Sequence, residues 1–187
     1  SAVNLGGSIY LNNVFYSINK SKFISNNVVH NKYATMGSAI YFEKCSLNNE
    51  ITNCFFANNS KSSSISFMNE FIISYIFYNC EFTNNSGDTN GGAISFSIKR
   101  GFLSFENCSF VNNNSTDLSS YGGAIYFSDM LKDKLGGKIN LSLSKCCFYN
   151  NKACSTKGKS YGGAIYFLFR ESTNFFSHLE DSEFINN

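Results

Sequence analysis

Hydrophobic and polar residues recur along the chain in two short patterns that alternate with each other. The first is a pair of small residues followed by Ala-Ile or a close variant, and the second is Phe-x-x-Asn. The first pattern occurs at residues 6–9, 37–40, 91–94, 122–125 and 162–165, with a degenerate Ser-Ser-Ser-Ile copy at 62–65. The second occurs at residues 23–26, 56–59, 82–85, 110–113, 148–151 and 184–187. A period of about 31 residues, repeated six times, is typical of solenoid proteins.

Within each repeat the apolar residues have a period of two. The Ile of the first pattern is followed two positions later by Leu or Phe, and the residue between them is Tyr or Ser. This alternation predicts a strand with Ile and Phe inward and Tyr or Ser outward. A second strand is predicted before each Phe-x-x-Asn, where an apolar residue lies five positions before the Phe. We therefore predict an all-β fold, a right-handed parallel β-helix of about six coils of about 31 residues each.

Stacked coils would place like residues in ladders with a spacing of about 4.8 Å. An Asn ladder is expected at a turn, where amide side chains bond to one another and Asn tolerates left-handed backbone. Its expected members are Asn26, Asn58, Asn85, Asn113, Asn151 and Asn187. The Gly pairs are expected at another corner, which needs either positive φ or close approach of neighbouring coils. The absence of Pro agrees with a chain of parallel ladders.

Composition and charge narrow the function classes. With 43% hydrophobic and 17% aromatic residues, the chain can form a core and is not disordered. A formal net charge of +2 without a dense basic run predicts no nucleic-acid partner. No apolar run is long enough for direct membrane insertion of this segment. Residues 1–187 are predicted to form one β-helix segment, and because neither end resembles a polar cap, we expect a fragment of a longer solenoid.

These motifs resemble those of a known family. Three letter-perfect Gly-Gly-Ala-Ile copies, paired with six Phe-x-x-Asn copies, make the chain similar to passenger domains of chlamydial-type polymorphic membrane proteins. The resemblance implies a β-helix with a non-catalytic, adhesin-like or structural role at the cell surface or outside the cell. Two alternatives remain open: a scaffold subunit of an extracellular filament or appendage, and, less favoured, a carbohydrate-active β-helix enzyme.

The titratable residues give no sign of a catalytic, metal or cofactor site. The 13 acidic residues are scattered, and no two are expected at the same strand position in adjacent coils. Glycoside cleavage and Ca²⁺ binding both require clustered carboxylates. His30 and His178 each lack a second ligand at a suitable spacing. We therefore predict that the protein is not an enzyme and binds no cofactor or metal.

The outward aromatic residues are the candidate contact site. Exposed Tyr rings in a vertical row could stack on sugars or pack against a protein partner, or they could only stabilise the sheet. The candidates are Tyr10, Tyr41, Tyr126 and Tyr166, and Tyr121 and Tyr161 precede two of the Gly pairs. Polar insertions at 128–134 and 152–159 are further candidates for binding differences. If a eukaryote secretes the protein, glycans are possible at Asn58, Asn113 and Asn114.

Four of the seven cysteines recur two residues before the Phe of the second pattern: Cys54, Cys80, Cys108 and Cys146. Ser21 and Ser182 occupy the same position in the first and last repeats, which predicts a small, half-buried slot. Neighbouring coils would be close enough for disulfides, but parallel side-chain directions make the dihedral angle awkward. Stacked free thiols are the favoured interpretation, and bridged pairs remain the alternative.

Overall fold

The computed structural model describes residues 6–28, 36–45, 49–117, 119–129, 137–169 and 173–187. Every regular element in these ranges is a β-strand. The first ten strands are β1 (Ile9–Asn12), β2 (Ser17–Asn19), β3 (Lys22–Ile24), β4 (Ile40–Glu43), β5 (Asn49–Thr52), β6 (Phe55–Ala57), β7 (Ile65–Tyr78), β8 (Glu81–Thr83), β9 (Ser86–Gly87) and β10 (Ile94–Glu106). The others are β11 (Ser109–Val111), β12 (Asn114–Ser115), β13 (Ser120–Tyr121), β14 (Ile125–Ser128), β15 (Lys138–Ser144), β16 (Cys147–Tyr149), β17 (Lys152–Ala153), β18 (Ser160–Tyr161), β19 (Ile165–Leu168), β20 (Asn174–Glu180) and β21 (Glu183–Ile185).

All strand pairs in the described ranges are parallel, and each joins corresponding strands of neighbouring repeats. The largest sheet has ten strands and runs β1-β4-β7-β10-β14-β19, with β2, β5, β15 and β20 attached beside that path. A six-stranded sheet contains the Phe-x-x-Asn strands in the order β21-β16-β11-β8-β6-β3. Two small sheets are formed by β17-β12-β9 and by β13-β18. This all-β, parallel arrangement is consistent with the predicted solenoid.

The register of the main sheet places the predicted inward residues in continuous rows. Ile40 pairs with Ile9 on one side and with Ile65 on the other. The row continues through Ile94 and Ile125 and ends at the corresponding Ile of β19. Because Ile65 belongs to the degenerate Ser-Ser-Ser-Ile copy, that copy also keeps its place in the sheet. The first predicted strand of each repeat and its alignment are confirmed. The second predicted strand is divided by a corner before the Phe, so that β5 lies in the ten-stranded sheet and β6 in the six-stranded sheet, with a φ of 54° at Asn53 between them.

The two strands predicted for each repeat are continuous in the third and fourth repeats. There they merge into β7, of 14 residues, and β10, of 13 residues. These long strands pair along their length, with one irregularity in register between Ile98 and Arg100. The merged strands therefore carry the main sheet without interruption through the third and fourth repeats.

The core consists of stacked like residues. The Phe rings of the second pattern stack along the six-stranded sheet, with neighbouring centroids 4.6–4.9 Å apart and planes within 5° of parallel. Phe56, Phe82, Phe110 and Phe148 are fully buried. The ring spacing matches the spacing between adjacent strands, so the parallel register itself produces the stack.

The Asn ladder exists, but its member in the second repeat is Asn59, and the assignment of Asn58 to it was wrong. The amide of Asn59 donates to the Oδ1 of Asn85 at 2.9 Å, and the amide of Asn85 donates to the Oδ1 of Asn113 at 3.0 Å. Asn58 instead is exposed and has a φ of 55°. In this motif the buried ladder amide therefore lies one residue after the corner residue with left-handed backbone. Amides also bond to one another at exposed positions with positive φ, where Asn79 donates to Oδ1 of Asn53 at 2.8 Å and Asn107 donates to Oδ1 of Asn79 at 3.0 Å.

The two glycines of each pair have different tasks. Gly122 has a φ of +61°, in the left-handed region that favours glycine. Gly123 has ordinary backbone, but an added Cβ would lie 2.1 Å from the carbonyl oxygen of Gly163 and 2.4 Å from the backbone nitrogen of Lys152. Both predicted reasons for glycine therefore apply, one to each member of the pair.

Candidate functional site

The tyrosine row of the main sheet is interrupted in the middle. The position between the inward Ile and Phe is occupied by Tyr in the first two and last two repeats and by Ser66 and Ser95 between them. The structure therefore brings the predicted contact residues together as two separate pairs. Tyr10 lies beside Tyr41 in one pair. Tyr126 lies beside Tyr166 in the other.

The first pair is held by a carboxylate and a thioether. The rings of Tyr10 and Tyr41 stack with centroids 5.5 Å apart and planes 9° from parallel. The hydroxyl of Tyr10 donates to the carboxylate of Glu43, and this bond raises the pKa of Tyr10. The hydroxyl of Tyr41 donates to Sδ of Met68 at 3.5 Å. Tyr10 is 41% exposed, whereas Tyr41 is only 2% exposed, and burial raises the pKa of Tyr41.

The second pair is part of a larger group, the tyrosine cluster, which consists of Tyr121, Tyr126, Tyr161 and Tyr166. The short strands β13 and β18 pair Tyr121 with Tyr161 and stack their rings at 5.6 Å. The ring of Tyr166 lies 5.1 Å from that of Tyr121, 5.6 Å from that of Tyr161 and 6.1 Å from that of Tyr126. Four phenol rings from two sheets thus form one aromatic surface.

Exposure differs sharply within the tyrosine cluster. Tyr161 is 40% exposed and Tyr121 and Tyr166 are half-buried, but Tyr126 is only 7% exposed. Burial raises the pKa of Tyr126 above its usual value. The expectation of an exposed row was therefore wrong for Tyr41 and Tyr126, because neighbouring side chains cover their outward-facing rings. Tyr161, which precedes a Gly pair, supplies the most accessible ring of the cluster.

The predicted glycan-bearing asparagines lie in three different environments. Asn58 is exposed at its corner. Asn113 is fully buried, and its amide donates to the carbonyl oxygen of Phe82 at 2.9 Å and to Oδ1 of Asn151 at 3.0 Å. A glycan on Asn113 is incompatible with these bonds, so its predicted position at an accessible turn was wrong. Asn114 is half-buried, and its Oδ1 atom is buried without a hydrogen-bond partner in the described part of the chain.

An exposed apolar face on the main sheet was missed from the sequence. Ile72, Ile76, Phe102 and Phe176 are between 40% and 59% exposed on the outer side of β7, β10 and β20. Lys138 lies over the ring of Phe176, with Nζ 5.6 Å from the centroid. The sequence feature that could have predicted this face is the run Phe-Ile-Ile at residues 71–73. Consecutive apolar residues in a strand place apolar side chains on both of its faces.

The four cysteines of the predicted ladder lie at equivalent positions and are free and buried. We call Cys54, Cys80, Cys108 and Cys146 the thiol column. Cys45 is also free and buried, while Cys154 is free and exposed. Within the described residues, no group of three or more His, Cys, Asp or Glu side chains is arranged to hold a metal ion.

Several sequence predictions lie outside the described residues. His30 and positions 130–134 of the first insertion belong to this group. His178 lies on β20, with Nε2 3.8 Å from a carboxylate oxygen of Glu180. The ranges that are described include no helix with the length and hydropathy needed to cross a bilayer.

Fold and surface together define a class of protein: a stack of parallel-stranded repeats with aromatic ladders inside and a tyrosine-bearing outer face. The Chlamydia polymorphic membrane protein repeat matches the chain at residues 79–97, 107–128 and 145–168. The chain therefore carries this repeat, and the resemblance stated from the two motifs is confirmed. Comparison with curated proteins and with solved structures gave no match.

Proposed function

We propose that the chain is a stretch of right-handed parallel β-helix with one coil for each of its six motif pairs. It acts as a non-catalytic, adhesin-like protein at the cell surface or outside the cell. The polymorphic membrane protein repeat supports this role. In-register rows of Ile and Phe support the coil arrangement, since each repeat places the same residue over its neighbour.

The tyrosine cluster is the proposed contact surface, and its geometry carries the proposal. Tyr121, Tyr161 and Tyr166 are held within 5.1–5.6 Å of one another, and each is at least partly accessible. Tyrosine combines a large apolar ring with a polar hydroxyl, and it has only two side-chain torsions to fix on binding. A fixed group of such rings suits stacking on a sugar or packing against a protein surface.

Serine substitutions test this contact surface, since the sheet position of Tyr166 is occupied by serine at Ser66 and Ser95. The double variant Tyr161→Ser, Tyr166→Ser is expected to lose binding to its partner while keeping its melting temperature within a few degrees. Binding is measured on panels of immobilised glycans and extracellular-matrix proteins, and melting is followed by circular dichroism.

Tyr10→Ser and Tyr126→Ser are the matched controls. Tyr10 lies in the other pair, so its loss should leave binding by the cluster intact. Tyr126 is buried, so its replacement should lower the melting temperature more than the double variant does. Undiminished binding by the double variant would show that the cluster is only a packing element.

A further inference from the structure

The thiol column aligns four cysteines from consecutive repeats. The backbone N–H of Glu81 donates to the carbonyl oxygen of Cys54 at 2.9 Å, which places the residue after Cys80 against Cys54. The same bond joins Ser109 to Cys80 at 2.9 Å and Cys147 to Cys108 at 3.0 Å. Successive column cysteines are therefore one strand apart.

The four side chains also have the same orientation. Each Sγ lies 3.1–3.4 Å from the carbonyl oxygen two residues earlier in the chain. Each also lies 3.2–3.6 Å from a carbonyl oxygen of the preceding repeat. Because both contacts recur in every repeat, each sulfur has the same position relative to its own strand. Neighbouring sulfurs are therefore one strand spacing apart, about 4.8 Å along the column.

The spacing of the sulfurs suits one kind of ligand. A metal–thiolate bond is about 2.3 Å long, so two such bonds in line span about 4.6 Å. Soft thiolate ligands favour Cu(I), Zn²⁺ and iron–sulfur clusters, and of these the monovalent d¹⁰ ion Cu(I) accepts two ligands in line. Zn²⁺ requires four ligands, and Ca²⁺ and Mg²⁺ require oxygen. We propose that the thiol column binds a soft monovalent cation of the Cu(I) class between neighbouring sulfurs, with Cys80 and Cys108 as the central pair.

One groove gives access to this site. A groove of about 450 Å³ is lined by Cys54, Cys80 and Cys108, each of which is 2% exposed. Lys145 and Glu81 line the same groove, so it carries one positive and one negative side chain. Each thiol that becomes a ligand releases one proton, so a pair that takes up one monovalent cation loses two protons and becomes more negative by one charge.

The chain supplies its own conservative substitution for the test. Ser21 and Ser182 occupy the column position in the outer repeats, and each Oγ donates to the carbonyl oxygen two residues earlier at 3.0 Å. Serine therefore fills the slot and keeps its local hydrogen bond, but it is a poor ligand for a soft cation. Cys→Ser variants remove the sulfur while leaving the slot occupied.

The test is anaerobic titration of the fully reduced protein with Cu(I), in competition with a chromophoric Cu(I) chelator. The double variant Cys80→Ser, Cys108→Ser is expected to lose at least tenfold in affinity at the column. Cu(I) is expected to raise the melting temperature of the natural protein and not that of the double variant. Cys45→Ser, a buried cysteine outside the column, and Cys154→Ser, an exposed one, should both keep the column's affinity and the thermal shift.

Three results would overturn the proposal. They are unchanged Cu(I) binding by the double variant, loss of binding in Cys154→Ser alone, and binding that gives the natural protein no thermal shift. If the double variant does not fold by circular dichroism, Cys54→Ser replaces it. That variant shortens the column at one end, so it should bind less Cu(I) than the natural protein and keep the Cys80–Cys108 pair. Equal stoichiometry in Cys54→Ser would likewise contradict the proposal.

Discussion

At the scale of single residues, asparagine explains much of this sequence. The chain contains 27 Asn. Of the 15 non-glycine residues with positive φ in the described ranges, nine are Asn, including Asn58, Asn84 and Asn112. The next residue along, as in Asn59, Asn85 and Asn113, is a buried ladder amide. Asn suits both positions because its short amide tolerates left-handed backbone and also carries a donor and an acceptor.

Replacing a buried ladder residue should be strongly destabilising. Asn113→Ala removes an amide whose Oδ1 accepts from the backbone N–H and the amide of Asn85, at 3.1 and 3.0 Å. Because each buried group left unpaired costs roughly 1–3 kcal/mol, we expect a loss of at least about 3 kcal/mol in the free energy of unfolding. Chemical denaturation measures this loss.

The matched control for that variant is Asn58→Gly, in which an exposed corner residue is replaced. Glycine adopts positive φ without strain, so the free energy of unfolding should change by less than about 1 kcal/mol. Equal losses of unfolding free energy in the two variants would mean that the ladder amides contribute no more to stability than the corner residues do.

At the scale of the strands, pattern alone predicted the long elements and missed the short ones. The period of two located the strands around Ile40 and Ile125, and their register followed from the equal motifs. The two-residue strands β9, β12 and β17 were not predicted, since two residues cannot show an alternation. Their pairing depends on contacts between repeats, which bring Asn114 beside Ser86 and Lys152.

Substitution of one buried and one exposed phenylalanine tests how much the stacked core contributes to stability. Phe110 is fully buried, and its ring stacks 4.9 Å from that of Phe82 and 4.6 Å from that of Phe148. Phe110→Ala should lower the free energy of unfolding by roughly 3–5 kcal/mol, as is usual for a buried aromatic residue. Phe102→Ala, at a position that is 59% exposed, should lower it by less than about 1 kcal/mol. The idea of a stacked core fails if urea denaturation gives similar losses for both.

At the scale of the whole molecule, the sequence predicted which residues face outward but not which of them are accessible. Tyr126 faces outward as expected, yet Tyr121 reaches it from another sheet, with ring centroids 6.2 Å apart. That contact depends on how the two sheets lie beside each other. The alternation of apolar and polar residues within one strand carries no information about this arrangement. The same limit applies to Asn113, whose burial depends on the repeats above and below it.

Buried phenols make the stability of the whole molecule sensitive to alkali. Tyr75 is 2% exposed, its hydroxyl donates to the carbonyl oxygen of Cys45 at 3.1 Å, and burial raises its pKa. The folded protein therefore keeps this proton at a pH where the unfolded chain has lost it, so stability falls as the pH rises above about 10. Each such tyrosine contributes a slope of up to about 1.4 kcal/mol per pH unit.

Denaturation measured at a series of alkaline pH values gives this slope. Tyr75→Phe, which has no proton to lose, should show a shallower decline than the natural protein. An identical decline would mean that the hydroxyl of Tyr75 titrates alike in the folded and unfolded states.

Every described strand is bonded only to strands of neighbouring repeats, so cohesion in this molecule is local along its axis. Each repeat between two others is held by two interfaces, and stability accumulates approximately as a sum of such nearest-neighbour terms. Under a pulling force, such a stack would yield one interface at a time. Damage to one repeat would then remain confined to its immediate neighbours.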